Sequence, residues 1–512
     1  MNGVPHPLPL VLPSMSSSQR PSAREGNGGH FDMHAAARRV LATAGFQPEL
    51  DESARRQLAE IEGPGLLGAD VRDLRDMPWS SIDNNESRDL DQVEVAERLP
   101  NDGIRLIVGI ADVDCLVPKA SPLDSHAYAN CTSVYTGVDV FPMLPEKLST
   151  NFTSLNEGED RLAIAIETVV NVHGDILSHD VYRAMVRNSA KLTYEGVGAF
   201  LDGEPPPAKV AASSVLVEQL RIQREAANRL KAQRLRNGAL ELETIEATPI
   251  ARDGRIVDLK IIQKNRARDL IEDFMIASNV AIAKYLESKG RSGIRRVVRE
   301  PRRWARIVEI ASRYGASIPA EPDSLALAHF LIERRAADAE RFPDLSLSIV
   351  KLMGPGIYAL DLPGKDPGGH FGLATHDYSH ATAPNRRYAD LVTQRLVKAS
   401  LAGREAPYSN ADLIEIAERC TDREDAENKV ERTIRKTAAA LLLRDHIGET
   451  FDAIVTGASE KGVYARTLRP PAEGKVVRSH EGFDVGDKVR VKLISASPER
   501  GFIDFEGKGE IG

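Results

Sequence analysis

Ser81-Ile-Asp-Asn-Asn-Glu-Ser-Arg-Asp-Leu-Asp-Gln92 gathers Asp83, Asp89, Asp91 and the amide of Gln92 into ten residues. Like charges that share a site repel, and each raises its neighbour's affinity for a proton. A hard divalent cation reverses that cost, because Mg²⁺ takes oxygen ligands and keeps waters or substrate phosphates in its remaining positions. The spacing therefore suggests phosphodiester chemistry. A solvated acidic turn is the plain alternative, and on this stretch alone the two stand level.

Downstream, Gln92-Val-Glu-Val-Ala-Glu97 and Ile104-Arg-Leu-Ile-Val-Gly-Ile-Ala-Asp112 read as strands joined by the turn-forming Pro100-Asn-Asp-Gly103. Helical spacing marks residues 215–236, 269–289, 388–402 and 410–446, with Ile271, Phe274, Met275, Ser278 and Ile282 on one face of the second. From 449 onward, short apolar runs at 451–455, 462–466, 488–494 and 501–505 alternate with Gly, Pro and Asp turns, which suggests a small closed β-barrel. Residues 1–30, rich in Pro, Ser, Gly and Asn, read as a disordered tail. Residues 31–78 read as a short helical segment, with two helices around Gly45-Phe-Gln-Pro48. The expected fold class is α+β, with a large domain at 79–447 and an OB-fold barrel at 448–512.

The 512 residues carry a net charge of −8, which excludes attraction of polyanions by bulk charge and leaves only local basic grooves. Cys115, Cys131 and Cys420 form no Cys-x-x-Cys pair, so neither a zinc ribbon nor a disulfide framework is expected, and a reducing cytoplasm fits. The apolar run from Pro7 to Pro13 is short and broken by proline, a poor signal sequence. No run reaches the about 18 apolar residues of a membrane span. Between Arg291 and Arg306 seven arginines face one acid, Glu300. That window is equally a phosphate-contacting rim or a surface of ion pairs.

Six motifs follow one another: Asp83…Asp89-Leu-Asp91, Ile110-Ala-Asp-Val113, Phe141-Pro-Met-Leu-Pro-Glu-Lys-Leu148, Ala190-Lys-Leu-Thr-Tyr194, Asp269-Leu-Ile-Glu-Asp-Phe-Met275 and His380-Ala-Thr-Ala-Pro-Asn-Arg-Arg-Tyr-Ala-Asp390. In this order they resemble the RNB domain of the RNase II/RNase R exoribonucleases, and the terminal barrel is similar to an S1-type RNA-binding domain. The resemblance covers residues 79–510. It implies Mg²⁺-dependent hydrolysis of single-stranded RNA from its 3′ end to nucleoside 5′-monophosphates. It also implies a cytoplasmic monomer with no organic cofactor and no membrane contact.

By the same resemblance, Asp83, Asp89 and Asp91 hold Mg²⁺ and orient the attacking water, and Asp91 is the most rate-sensitive of them. Gln92 stands where most members carry a fourth aspartate; its amide oxygen can ligate a metal but brings no charge. Arg386 matches the arginine beside the scissile phosphate, a task suited to a guanidinium that stays charged and binds two oxygens at once. Tyr194 matches the tyrosine that holds the 3′-terminal base, and Tyr135 one further up the channel, where stacking is worth about 1–3 kcal/mol per base. Asp273 matches a glutamate near the terminal nucleotide, and Glu431 an active-site glutamate on the last long helix. Arg387 neighbours the arginine position, Asn385 replaces an apolar residue common there, and His380 is structural. The barrel has ten basic and eleven acidic residues, so its RNA face would rest on Tyr464, Lys475, Arg478 and Lys488. Relatives carry two cold-shock-type barrels before the catalytic domain, where this chain has 78 residues, so a short form of limited processivity is expected. The alternative is a catalytically weakened RNA-binding regulator of the same fold.

Overall fold

The computed structural model describes residues 31–511 apart from 244, 246, 253, 254, 262, 263, 460 and 461. The expected tail at 1–30 lies outside the described residues. Helices α1 (Met33–Thr43) and α2 (Glu52–Glu60) flank Gly45–Pro48, and Asp51 caps α2 by accepting the Ala54 N–H at 2.8 Å. The segment is not purely helical, because β1 (Arg72–Asp73) joins the main sheet ahead of residue 79.

Then follow β2 (Ser80–Asp83), β3 (Gln92–Arg98), β4 (Ile104–Ala111), α3 (Pro122–Asn130), β5 (Val134–Tyr135), β6 (Val140–Phe141), β7 (Asp160–Val170), β8 (Ile176–Arg187) and β9 (Ala190–Thr193). Seven of these strands form one sheet in the order β1-β8-β7-β4-β3-β2-β9, parallel at β1–β8 and β2–β9 and antiparallel elsewhere. Both faces of its centre are buried, as Trp79, Ile82, Val93, Val95, Ile107 and Ile110 are at most 1% exposed. Gly109 is a packing requirement, since a Cβ there would lie 3.1 Å from Val93 and 3.7 Å from the Trp79 ring.

The sheet is covered by α4 (Tyr194–Leu201), α5 (Ala208–Ala211) and α6 (Ser214–Arg236), and, after the hairpin β10 (Ala247–Arg252)–β11 (Arg255–Ile261), by α7 (Arg266–Ser288). Past Ser80, β3 has no strand on its outer edge. There Gln219 of α6 accepts the Ala96 N–H and donates to the Ala96 carbonyl, both at 2.9 Å. Strands β12 (Gly293–Val297) and β13 (Ile357–Asp361) pair around α8 (Trp304–Arg313), α9 (Ser324–Ala337) and α10 (Phe342–Met353), which share a separate core.

Helix α11 (Tyr388–Leu401) is followed by α12 (Asn410–Leu443), whose capping box pairs Ser409 with Asp412. Strands β14 (Thr450–Ser459), β15 (Gly462–Thr467), β16 (Glu473–Arg478), β17 (Lys488–Ser497) and β18 (Phe502–Glu510) close a barrel. Its core extends into Ala439, Ala440 and Leu443 of α12 and Leu259 of β11. Of these barrel strands only β16 has no counterpart in the expected apolar runs.

The arginine-rich window divides: Arg295 and Arg296 are tied into the fold, while Arg299, Arg302, Arg303 and Arg306 are exposed. Arg295, 3% exposed, binds Asp361 and Asp377 at 2.6 and 2.7 Å, and Arg296 binds Glu424 through both terminal nitrogens. Arg291 and Arg303 donate to backbone carbonyls, and Arg306 pairs with Glu309.

Candidate active site

The parallel register of β2 with β9 sets Asp83 beside Thr193, so the acidic loop and Tyr194 lie at one end of the sheet. Residues 84–91 cross from β2 to β3, and side chains from elsewhere pin nearly every turn of that crossing. Asp83 Oδ1 accepts Ser87 Oγ at 2.8 Å and the Asn84 N–H at 2.6 Å. Lys191 Nζ donates to the Ser87 and Asn85 carbonyls at 2.5 and 3.2 Å, and Arg268 to Asn84 Oδ1 at 2.7 Å. Ser154 Oγ accepts the Leu90 N–H and donates to the Arg88 carbonyl.

Asp91 is 2% exposed. Its Oδ1 accepts the Asn385 backbone N–H at 3.1 Å and Nδ2 at 2.9 Å, while Oδ2 has no hydrogen-bond donor and lies 3.5 Å from Arg386 Nε. Burial pushes this carboxyl up to about 7, against the pull of Arg386 and Asn385. Asn385, which by sequence is a departure from the family pattern, is thus the clamp on the most buried aspartate of the acidic loop. Burial also raises Asp83. Gln92 is buried at the start of β3, and its amide makes no side-chain hydrogen bond among the described residues.

Tyr135, expected further up the channel, sits on the acidic loop: its hydroxyl donates to Asp89 Oδ2 at 2.9 Å. Its backbone N–H donates to Glu431 Oε1 at 3.0 Å, so the structure brings Glu431 to the site. Burial raises the phenol, which keeps it a donor. One helical turn before Glu431, Glu427 is pushed up to about 8 by burial and by the Glu431 carboxylate it bonds. Glu427 is thereby held towards its protonated form beside Arg386. Glu427 was missed in the sequence, where only its i, i+4 spacing from Glu431 marked it.

Tyr194 opens α4, its carbonyl held by Asn265 Nδ2 at 2.8 Å and its ring covered by the Arg268 guanidinium at 4.3 Å. The remaining expected residues are held by partners within the fold, Asp273 in the wall of the channel that reaches the site. Arg387 is tied to Asp390 at 2.7 and 2.9 Å, a pairing within the fold. Asp273, 2% exposed, pairs with Arg234 and is pushed up to about 7 by burial; the exposed carboxylate beside it is Glu272, 2.9 Å from Lys264. His380 accepts or donates to the Tyr358 hydroxyl at 2.8 Å, and burial holds its imidazole far below the usual range. Tyr464 lies on β15 in the barrel, and Lys488 pairs with Glu340 at 2.8 Å.

A channel of about 1900 Å³ reaches this site, with Asn84, Asp89, Tyr135, Arg234, Arg268 and Glu431 in its wall. Arg386, 45% exposed, and Glu427 line a smaller cavity of about 180 Å³, and Tyr135 belongs to both walls. Among the described residues no three His, Cys, Asp or Glu side chains stand close enough to hold an ion as they are. Yet the oxygen-only donor set and the donorless Asp91 Oδ2 suit a hard divalent cation. No helix of the described residues is long and apolar enough to cross a membrane.

The RNB domain profile matches residues 71–403, and that of the RNase II-type exonuclease C-terminal S1 domain matches 449–507. The chain is 29% identical over 492 residues to Ribonuclease R 1 of Lactococcus lactis, covering 90% of this chain and 59% of that protein. It is 30% identical over 495 residues to Ribonuclease R of Escherichia coli, covering 89% and 60%. The chain thus spans less than two thirds of either relative. Mycoplasma genitalium RNase R in complex with ribose methylated single-stranded RNA superposes with a TM-score of 0.83 at 20% identity, over 93% of this chain and 78% of that one. Yeast Ssd1, a pseudonuclease, superposes at 0.67 and 18% identity, over 90% and 57%. The chain belongs to the RNB domain family and ends in an RNase II-type S1 barrel.

Proposed function

We propose that the chain is a 3′→5′ exoribonuclease that hydrolyses single-stranded RNA to nucleoside 5′-monophosphates with Mg²⁺. The observation that carries this reading is Asp91 Oδ2, a buried acceptor with no donor, set against Arg386 at the acidic loop in the channel wall. Asp83, Asp89 and Asp91, with the Gln92 amide oxygen, would hold the cation, whose chemistry is to lower the pKa of water and neutralise phosphate charge. Arg386 receives the scissile phosphate, because its guanidinium is half exposed and its backbone carbonyl is fixed by the Ser133 N–H at 3.0 Å. Tyr135 and Tyr194 offer ring faces to the last bases, and Arg268 limits Tyr194 to one open face. Asn385 keeps Asp91 oriented, and Glu427 is held towards its protonated form beside Arg386.

A second reading, an RNA-binding regulator with weakened turnover, is favoured by the uncharged Gln92 and by the hydrogen bond that occupies Asp89. The same fold carries a pseudonuclease in yeast Ssd1. One assay separates them: 5′-labelled single-stranded RNA with and without Mg²⁺, using the wild type, Asp91→Asn and Gln92→Asp. A shortening ladder that Asp91→Asn abolishes supports the nuclease. Tight binding without shortening, with turnover restored by Gln92→Asp, supports the regulator.

A further inference from the structure

On α12, Glu431 and Arg435 line the channel. At about 100° per residue, Lys429 and Lys436 fall on the far side of the helix from Glu431, with Arg432 on its flank, and all three are exposed. None of the three has an ion pair among the described residues. Asp425 offsets Lys429 at i, i+4, but Lys429–Arg432 and Arg432–Lys436 set like charges at i, i+3 and i, i+4, which works against the helix. The helix dipole does not compensate, because its effect fades within the last turn and α12 runs on to Leu443. A cationic row that costs its own helix, in a chain of net charge −8, points to an anionic partner.

A second observation extends the row onto the barrel. The Cβ position of Gly501, at the β17–β18 corner, is 3.5 Å from Lys436 Cβ. Beside Gly501, Phe502 is 54% exposed, and the Arg500 guanidinium lies 5.0 Å from its ring centre without an ion pair among the described residues. Cations in a line that ends at an open aromatic face are the arrangement that follows a sugar-phosphate backbone and stacks a base without regard to sequence. An acidic peptide would leave the aromatic face unused, and a single ring at the end of the row offers a lipid surface little apolar area to bury. The nearest acids, Asp422 and Asp425, bound the row at its start, and Glu499 at the corner is engaged by Ser497 at 3.2 Å.

We infer that Lys429, Arg432 and Lys436, with Arg500 and Phe502, form a track for single-stranded RNA on the outside of the molecule. It runs along the exposed side of α12, outside the channel, and holds the part of the substrate not yet threaded. The inference rests on the reading of the chain as an RNA-degrading enzyme, and it joins α12 to the barrel in holding RNA.

The test uses the full chain in EDTA, with 5′-labelled RNA of about 30 nucleotides, longer than a single OB-fold's usual site, and of about 8, within it. The variants are the triple Lys429→Gln, Arg432→Gln, Lys436→Gln and, separately, Phe502→Ala, with thermal melts to confirm folding. The triple variant is expected to bind the long RNA at least tenfold more weakly, with a salt slope smaller by about 2, at about 0.7 for each phosphate no longer neutralised. Phe502→Ala is expected to weaken the long RNA about tenfold. Binding and Mg²⁺-dependent trimming of the short RNA are expected to stay at wild-type levels. Unchanged affinity and slope on the long RNA overturn the inference, as does equal weakening on both lengths. Reduced binding to phosphatidylserine vesicles with RNA binding intact overturns it in favour of a membrane. Wild-type binding of both RNAs with no shortening removes the nuclease reading and leaves the track standing.

Discussion

Asp91 is a residue whose function costs stability, and the cost is measurable. Its carboxyl is pushed from the ordinary 3.8 up to about 7 by burial, with Oδ2 left without a donor. At about 1.4 kcal/mol per tenfold change in proton affinity, keeping that carboxylate ionised in the folded chain costs about 4 kcal/mol without metal. The sign follows from linkage. Below the unfolded pKa both states hold the proton and nothing is lost; as pH rises towards 7 the unfolded chain ionises first and the fold loses stability, and above 7 the loss is complete. Asp91→Asn removes the titration while keeping the shape. In EDTA, urea unfolding should show the variant more stable than wild type, with an advantage about 2–3 kcal/mol larger at pH 8 than at pH 5. Excess Mg²⁺ should raise wild-type stability alone. An advantage equal at the two pH values, or a variant less stable at both, would refute the account of Asp91 as a buried, underpaired charge.

Three further outcomes are expected. Asn385→Ala removes one of two donors to Asp91 Oδ1 and leaves Thr153 Oγ1 without its 2.5 Å partner, so stability should fall by about 1.5–3 kcal/mol. In the same variant the acid limb of the pH–rate profile should move to higher pH, because a donor that lowers Asp91 is gone. Tyr135→Phe keeps the ring and frees Asp89, so calorimetry should show tighter divalent binding with RNA affinity within about threefold of wild type, whereas Tyr135→Ala should weaken RNA about tenfold. Arg268→Ala cuts a bond to Asn84 and uncovers one face of Tyr194; KM for short RNA should rise while the melting temperature moves little, since the side chain is partly solvated.

What the sequence made legible followed the range of the forces involved. Helices and strands whose apolar spacing is local were readable, and α6, α7, α11 and α12 fall within a few residues of the expected ranges. The acidic loop was readable because its carboxylates are adjacent in the chain. Asn385 was not, since its partner Asp91 is 294 residues away and nothing near it announces a clamp. The arginine window was ambiguous for the same reason: Arg295 and Arg296 find their acids 66 and 128 residues downstream. Tyr135 was placed too far from the loop because motif order carries no depth. Strand β16 begins just after Pro470-Pro471 and contains Gly474, and these breakers hid its short alternation.

The bond between Gln219 and Ala96 sets a boundary on the whole assembly of strands. A bare stretch of β3 would present unpaired N–H and C=O groups, a template on which another chain could add itself. One amide side chain supplies both complementary groups, so a helix finishes the sheet in the way a further strand would, and growth stops there. The step that the short β2 leaves beside β3 is thereby closed from within the molecule.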